Sequence, residues 1–202
     1  MGFSGGPPPP GLTDFRLPLD ESLLRALNGL SSRWVDGLTT LLGRPLFDWT
    51  CAALLMLSVA FALRRRAIVP LTSALIAVGL SDLIGARLLK PAFHRMRPFD
   101  ALPGAVHQAF PVSHLGSMPS LHAANAFALA VVLSRAVPRL APILYGFASL
   151  IALSRVVGGV HWPSDVVAGA LFGSAIGLVA SWYAGRVRIR VASEPPTATP
   201  EP

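Results

Sequence analysis

Two histidines and one carboxylate of this chain could together attack and release a phosphate group. His161 and Asp165 are four residues apart, so they share a face if this segment is helical. A carboxylate beside an imidazole selects its tautomer and raises its basicity, which prepares the other ring nitrogen for attack. His122 has no acidic neighbour in the sequence. Two histidines in such different surroundings can divide the roles of nucleophile and general acid.

Three basic residues and one predicted helix end could hold the phosphate oxygens. Lys90, Arg97 and Arg155 would repel one another in a partly desolvated pocket, and a bound phosphate would remove this repulsion. An apolar segment that begins near Ser120 and Leu121 would offer free backbone N–H groups, and a helix N-terminus is a ready anion site. Taken singly, a lysine at a membrane edge or a serine at a helix cap is ordinary. An anion site is favoured because all of these residues are predicted to lie on the same side of the membrane.

The other ionisable residues near these clusters are expected to have no catalytic part. His94, His107 and His114 lack a spacing typical of metal ligands, so neither a metal nor another cofactor is expected. Asp82 and Arg87 lie inside an apolar run, where charge is costly unless it is paired or functional. They are expected to pair with each other or, as the second alternative, to border the pocket.

The composition indicates a membrane protein. Apolar residues make up 52% of the 202 residues and charged residues only 13%, whereas a soluble domain carries about a quarter charged residues. The net charge of +7 does not indicate nucleic-acid binding, because the basic residues form short groups between apolar runs, such as 64–66, rather than one soluble face. The expected partners are therefore a bilayer and no nucleic acid, and the oligomeric state stays open.

Apolar runs of near-membrane length predict an all-α integral membrane bundle. Five runs are each close to the length that a helix needs to cross a bilayer: 46–63, 67–89, 120–137, 140–157 and 164–185. Before them, leucines at spacings of three and four predict an amphipathic helix over 20–42, which would lie in the membrane interface or pack against the bundle. About five transmembrane helices are expected, or six if this helix also crosses.

The chain is predicted to be one membrane-embedded domain, 19–190, between two disordered ends. Residues 1–18 are rich in Gly and Pro, and 191–202 are a polar, Pro-rich tail. Glycines at every fourth position of the last run predict close helix packing: Gly169, Gly173 and Gly177.

The order of the runs puts the three clusters of chemical interest on one side of the membrane. The short connections 64–66 and 138–139 predict antiparallel hairpins, so the long loop 90–119 lies on the opposite side, with the clusters. Eight arginines mark the hairpin side as cytoplasmic: Arg64, Arg65, Arg66, Arg135, Arg139, Arg186, Arg188 and Arg190. The other nine basic residues lie on or near the cluster side, several of them assigned to the anion. The clusters are then expected to face outward.

The three clusters resemble the signature of the type 2 phosphatidic acid phosphatase superfamily, the lipid phosphate phosphatases. That signature is Lys, six residues and Arg-Pro; then Pro-Ser-Gly-His; then Ser-Arg, three residues, Gly, one residue, His, three residues and Asp. The matching residues are Lys90, Arg97 and Pro98; Pro119, Ser120 and His122; and Ser154, Arg155, Gly159, His161 and Asp165. The resemblance implies a metal-independent hydrolase of lipid phosphate esters or diphosphates, in a bacterial inner membrane.

The resemblance also implies a role for each residue. His161 would attack phosphorus to form a phosphohistidine, with Asp165 orienting it, while His122 would protonate the leaving oxygen and then activate water. The residues implied to hold the phosphate oxygens are Lys90, Arg97, Ser120, Leu121 and Arg155. Supporting parts are implied for Pro98, Pro119, Ser154 and Gly159.

Leu121 stands where the family has a glycine. A leucine still donates a backbone N–H, but it does not easily adopt positive φ, and its side chain can reshape the pocket. The leading substrate is undecaprenyl diphosphate, a cell-wall carrier, with phosphatidic acid and phosphatidylglycerol phosphate as alternatives. A lipid head-group phosphotransferase and a non-catalytic protein that binds lipid phosphates are further alternatives.

Overall fold

Helices account for the regular structure of residues 11–112 and 116–193, the parts of the chain that the computed structural model describes. The α-helices in these ranges are α1 (Asp20–Asn28), α2 (Arg33–Leu41), α3 (Pro45–Leu63), α4 (Ile68–Ile84), α5 (Lys90–Phe93), α6 (Pro98–Ala101), α7 (Leu121–Ala136), α8 (Ala141–Val157) and α9 (Pro163–Ser193). The connections include 3-10 turns at Arg64–Ala67 and Pro138–Leu140 and a π-helical turn at Gly85–Leu89. The predicted all-α class is confirmed.

The five predicted apolar runs correspond to α3, α4, α7, α8 and α9. Three helical stretches are long and apolar enough to cross a membrane: Thr50–Phe93, Pro138–Val157 and Pro163–Arg186. The first of these contains most of α3 and all of α4, and between them the backbone of Arg64 leaves the helical region with φ 50° and ψ −122°. With 16 residues, α7 is shorter than those stretches. A membrane bundle with paired spans agrees with this arrangement.

The central helix of the bundle is α7, which packs against α4, α8 and α9. Its contact with α9 is unusually close. A Cβ at Gly169 would come within 2.3 Å of the Ser120 carbonyl oxygen, and one at Gly173 within 1.9 Å of the Ala124 carbonyl oxygen. Any larger residue would force the two helices apart, so these glycines have the predicted packing role.

The prediction of one amphipathic helix over 20–42 is wrong, because this region forms two helices. The first ends at Asn28, and α2 begins after Ser32, whose side chain accepts a 3.3 Å hydrogen bond from the Val35 N–H. Gly29 disfavours a helix interior and Ser32 is a favoured N-cap, which explains the break. The first helix packs against α8 and α9, as one of the two alternatives predicted.

The outer faces of α1 and α2 carry exposed large apolar side chains, as expected of helices in a membrane interface. They are Leu23, Trp34, Leu38 and Leu41, and Leu30 in the connection between the two helices is also exposed. The same two helices therefore pack on the bundle with one face and present apolar surface with the other.

The segment before α1 is attached to the loop after α5. The Thr13 N–H donates to the His94 carbonyl over 2.7 Å, and the Met96 N–H donates to the Thr13 carbonyl over 2.9 Å. Part of the predicted disordered lead-in thus has backbone partners. Residues 191–193 of the predicted disordered tail belong to α9, and the remainder of the two predicted ends, 1–10 and 194–202, lies outside the described residues.

Candidate active site

A cavity of about 800 Å³ opens at the end of the bundle where the loops before α7 and α9 meet. One end of this cavity is polar and the rest is largely apolar. The polar end is lined by Lys90, Arg97, Leu121, His122, Arg155 and His161. The structure therefore brings together six residues that the sequence analysis assigned to catalysis or phosphate binding.

His161 lies in the loop between α8 and α9 and is 4% exposed. Its Nε2 is 3.3 Å from Nη1 of Arg97, and its Nδ1 is 3.4 Å from Oδ2 of Asp165, without the alignment of a hydrogen bond. A guanidinium only donates, so Nε2 carries the lone pair and Nδ1 carries the proton that faces the carboxylate. Burial lowers the pKa of His161 well below its usual value, and the positive charges of Arg97 and Lys90 lower it further. The ring is therefore neutral and able to attack an electrophile.

The carboxylate of Asp165 is held in the first turn of α9. Its Oδ2 accepts from the Trp162 N–H over 2.8 Å, and its Oδ1 accepts from Nη1 of Arg95 over 2.6 Å. The Asp165 carbonyl also accepts from the Ser120 N–H over 3.0 Å, which links α9 to the start of α7. These contacts leave the carboxylate little freedom to rotate beside His161.

Arg95 is a residue of this site that the sequence analysis missed. It is 1% exposed and joins Asp165 to Asp20 at the start of α1, with Nη2 to Oδ2 of Asp20 at 2.5 Å. It also donates to the Phe15 carbonyl and to the Ser164 hydroxyl. Its position two residues before Arg97 was a signal, since a third cation in so short a segment needs an acidic partner when buried.

Asp20 is the outer end of this ion-pair chain and is 2% exposed. Burial alone would raise the pKa of Asp20, but hydrogen bonds from Ser164, Leu17 and Arg95 outweigh it and hold the pKa below its usual value. The N-terminal helix is thereby tied to the carboxylate that faces His161.

The three predicted cations approach the polar end of the cavity from different elements. Lys90, which begins α5, donates to the Gly116 carbonyl. Arg97 donates to the Val160 carbonyl over 2.8 Å, and burial lowers its pKa to about 10, so it stays protonated at neutral pH. Arg155 lies in the last turn of α8, and its guanidinium carbon lies 5.0 Å from the ring centroid of Phe110. The three charges create the positive field that a phosphate needs.

The start of α7 provides the remaining polar atoms of the site. Ser120 is the N-cap of α7 and is fully buried, and its Oγ has no hydrogen-bond partner among the described residues. Leu121 is the first helical residue and its φ is not positive, so this position does not require a glycine. Its side chain packs against the π-helical turn, where a Cβ on Gly85 would come within 2.4 Å of Leu121 Cδ2. Leu121 therefore forms part of the cavity wall.

The supporting residues of the motifs shape the loops around the cavity. Gly159 has φ +71°, and a Cβ there would meet the His107 carbonyl oxygen at 2.3 Å, so only glycine fits. The Ser154 hydroxyl accepts from Nε of Arg155 over 3.3 Å. Pro98 begins α6, and both Pro98 and Pro119 are buried.

Of the ionisable residues that were expected to have no catalytic part, one lines the cavity. His107 is 3.1 Å from Asp36, His94 ends α5, and His114 lies outside the described residues. Across residues 11–112 and 116–193, no group of three or more His, Cys, Asp or Glu side chains is placed to hold a metal ion. The residue that lines the cavity is Asp82, which accepts from Asn125 over 3.2 Å rather than pairing with Arg87. The first alternative for Asp82 is therefore wrong and the second is right.

Comparison with known proteins identifies the family. The model of the PAP2 superfamily matches residues 67–189. This chain belongs to the PAP2 superfamily. The decaprenylphosphoryl-5-phosphoribose phosphatase of Mycobacterium tuberculosis is 36% identical over 150 residues, which are 73% of this chain and 78% of that protein. As a PAP2 protein with named phosphatases among its relatives, the chain is an integral membrane hydrolase of lipid phosphates.

Solved PAP2 structures share the fold. Aquifex aeolicus LpxE is 29% identical with a TM-score of 0.69, covering 83% of this chain and 97% of that one. A PAP2-type phosphatidylglycerolphosphate phosphatase from Bacillus subtilis is 22% identical with a TM-score of 0.64, covering 85% and 89%. The second likeness concerns the fold alone.

Proposed function

We propose that this PAP2 protein removes a phosphate from a polyprenyl-linked lipid through a phosphohistidine on His161, at the outer face of the cytoplasmic membrane. The observation that carries the proposal is the position of His161. Its Nε2 is turned toward Arg97 at the polar end of the cavity, while Asp165 lies behind its Nδ1. A neutral nucleophile, a carboxylate to stabilise the imidazolium that forms, and cations around the electrophile are what phosphoryl transfer to histidine requires.

The reaction proceeds in two steps. In the first, Nε2 of His161 attacks phosphorus, and the bond from phosphorus to the leaving oxygen of the lipid breaks. His122 takes up a proton once the bound phosphate offsets the nearby cations, and it gives that proton to the leaving oxygen. In the second, His122 takes a proton from water, which attacks the phosphohistidine and releases inorganic phosphate and free His161. Lys90, Arg97 and Arg155 stabilise the charge that develops on the equatorial oxygens. The N–H groups at the start of α7 and the Ser120 hydroxyl complete the set of donors.

The apolar part of the cavity supports a lipid chain as the leaving group. Between α3, α4, α7 and α8 the walls consist mostly of alanine and aliphatic side chains: Ala52, Met56, Ala74, Val78, Leu129 and Ala148. A slender, branched isoprenoid chain suits such a cavity, and the relative named as a decaprenylphosphoryl-5-phosphoribose phosphatase carries that chain type in its name. Undecaprenyl diphosphate belongs to this class, and phosphatidic acid and phosphatidylglycerol phosphate are the competing glycerolipids.

The distribution of arginines supports an outward-facing site. Six exposed arginines lie at the end of the bundle opposite the cavity: Arg64, Arg65, Arg66, Arg135, Arg139 and Arg186. Four exposed arginines lie at or near the cavity end: Arg25, Arg33, Arg44 and Arg87. Exposed positive charge marks the cytoplasmic side of a membrane protein. Lys90, Arg97 and Arg155 line the cavity and are assigned to phosphate binding, so they are not counted when the charges of the two ends are compared.

The test is phosphate release by the detergent-purified full chain from a polyprenyl-linked sugar phosphate, a polyprenyl phosphate, undecaprenyl diphosphate, phosphatidic acid and phosphatidylglycerol phosphate, compared side by side. Faster release from at least one polyprenyl substrate than from either glycerolipid, abolished in His161→Ala, supports the proposal. Preference for a glycerolipid keeps the mechanism and overturns the substrate class. If phosphate moves to an added alcohol rather than to water, the protein is a head-group phosphotransferase. Binding without turnover on any lipid identifies a non-catalytic lipid-phosphate-binding protein.

A further inference from the structure

A polar pair interrupts the apolar wall of the cavity. Asn125 follows His122 by three residues on α7, so both face the same side of that helix. Its Nδ2 donates to Oδ1 of Asp82 on α4 over 3.2 Å, and both residues line the cavity that also contains His161. Farther along the two helices, Leu129 and Val78 continue the wall as apolar surface. The pair therefore lies between the phosphate end and the lipid-chain end, about 5 Å, or one helical turn, from the level of His122.

Packing does not explain this pair. A carboxylate within an apolar span is costly unless it is paired or functional. Asp82 is exposed, lines the cavity near the charge of Lys90 and forms no salt bridge among the described residues. Oδ1 of Asn125 is buried and has no hydrogen-bond partner among the described residues. An unsatisfied buried acceptor destabilises the free protein, so a donor from a ligand is the simplest way to satisfy it. Because an ionised carboxylate and an amide oxygen both accept, the missing groups are donors.

We infer that Asp82 and Asn125 select a substrate whose phosphate is attached to a hydroxylated head group, such as a sugar ring, that is itself carried on a lipid chain. This inference rests on the proposed function and narrows its substrate class to polyprenyl lipids with a hydroxylated head group, which leaves undecaprenyl diphosphate outside it. Sugar hydroxyls lie two or three carbons from the phosphate ester oxygen, which is the spacing of one helical turn between His122 and Asn125. They donate to the Asp82 carboxylate and to the Asn125 amide oxygen.

The same geometry disfavours two simpler lipids. A diphosphate attached directly to a prenyl chain would place its second phosphate near the carboxylate of Asp82, where like charges repel. Phosphatidic acid would present ester carbonyls there, which only accept and so satisfy neither the Asp82 carboxylate nor the Asn125 amide oxygen. In a site with buried acceptors, a ligand that lacks the matching donors loses more kcat/KM than a ligand whose apolar part differs slightly in size.

The experiment compares two synthetic probes that differ only in hydroxyl groups. They are dodecyl ribofuranoside 5-phosphate and its 2,3-dideoxy analogue, each in mixed micelles with the detergent-purified full chain. We expect kcat/KM for the hydroxylated probe to exceed that for the dideoxy probe by about tenfold or more. In Asp82→Asn and in Asn125→Leu this ratio should fall toward one. In the control Thr72→Val, where an exposed hydroxyl of α4 bonds only to its own helix, the ratio should stay as in the wild type.

The outcomes separate this inference from the function it rests on. Equal release from both probes by the wild type overturns the inference and leaves the phosphatase intact. A ratio that both variants leave unchanged shows that the preference arises elsewhere, which also overturns it. Release from neither probe, together with release from none of the lipids tested above, overturns the proposed function and the inference with it. Thermal melting of each variant in detergent checks that the fold is retained, and the wild-type ratio tests the inference even if a variant does not fold.

Discussion

Nη1 of Arg95 donates to Oδ1 of Asp165 over 2.6 Å, and both side chains are almost fully buried. The second Nη of the same guanidinium donates to Asp20, 75 residues earlier in the chain. One guanidinium group thus fixes the carboxylate of Asp165 beside His161 and, through its second Nη, also binds the first residue of α1. Arg95 does not line the cavity, so any effect on the reaction acts through Asp165.

Replacing Arg95 is expected to lower turnover more than substrate binding. A lysine offers one point charge and cannot bridge Asp165 and Asp20 together, so in Arg95→Lys the carboxylate is free to turn away from His161. A misplacement of this kind costs about 100-fold in kcat, with KM little changed. Steady-state kinetics on the preferred lipid measure both constants.

The matched control for this prediction is Arg25→Lys. Arg25 pairs with Glu21 on the surface of α1, far from Asp165, and its replacement should leave kcat within about twofold of the wild type. A rise in KM with unchanged kcat in Arg95→Lys would show that Arg95 contributes to binding and not to the orientation of Asp165. Arg95→Leu is less suitable, because it leaves two buried carboxylates unpaired and should cost about 3–5 kcal/mol of stability.

A covalent intermediate on His161 is expected during turnover. When the protein is mixed rapidly with a lipid carrying labelled phosphate and quenched in alkali, the label should remain on the protein, and mild acid should remove it, as for a phosphohistidine. His161→Ala should show no label and should lose at least about 1,000-fold in kcat, because the nucleophile itself is absent. His122→Ala should still be labelled, but more slowly, since it lacks the proton donor for the leaving oxygen. Label in His161→Ala would move the nucleophile elsewhere.

Strong chelation is expected to leave activity intact. Lys90, Arg97 and Arg155 surround the polar end of the cavity and supply the positive charge that a divalent ion supplies in other phosphatases. Phosphate release should therefore be the same with and without excess EDTA, once the protein has been dialysed against it. Loss of activity that returns on adding one divalent metal would contradict the assignment of these three side chains.

Acid should destabilise the protein partly through Asp20. The pKa of Asp20 is lowered in the folded state, so the carboxylate contributes stability above its unfolded pKa of about 4. This contribution is lost as the pH falls through the lower, folded value, because the unfolded state then binds the proton more readily. The melting temperature in detergent should fall between pH 5 and the acid limit, and it should fall less steeply in Asp20→Asn. If the melting temperatures of the wild type and Asp20→Asn fall in parallel as the pH is lowered, Asp20 does not contribute to the acid destabilisation.

The close contact between α7 and α9 should make Gly173 intolerant of a side chain. A Cβ there would lie 1.9 Å from the Ala124 carbonyl oxygen, so Gly173→Ala must push the helices apart and should cost about 1–3 kcal/mol. Gly146 on α8 has nothing within 4 Å of its Cβ position, and Gly146→Ala should be neutral or stabilise the helix by up to about 1 kcal/mol. Unfolding of the two variants in detergent, under identical conditions, measures the difference.

Much of the site could be predicted from the sequence, because its residues occur in short segments with regular spacing. His161 and Asp165 are separated by one helical turn, and the start of α7 was visible as Ser120 before an apolar run. The runs themselves are long enough to specify helices and their antiparallel order. Within each segment, local spacing was sufficient to place side chains near one another.

Contacts between distant segments could not be predicted in this way. The link from Arg95 to Asp20 depends on how α1 docks on the bundle, and no pattern near either residue specifies that docking. The same is true of Asp82, whose partner is Asn125 on another helix rather than Arg87, five residues away. The break between α1 and α2 was readable from Gly29 and Ser32, but the leucine spacing on both sides suggested one continuous helix.

The glycines of α9 have a consequence beyond packing. Gly169 sits against the carbonyl of Ser120, and the Ser120 N–H in turn holds the backbone of Asp165 one helical turn earlier. The distance between α7 and α9 therefore determines the distance between the Asp165 carboxylate on α9 and His122, the proton donor, on α7. A methyl group added at Gly169 would contact the backbone of Ser120 rather than a catalytic side chain, yet it would increase the distance between the catalytic groups on α7 and α9.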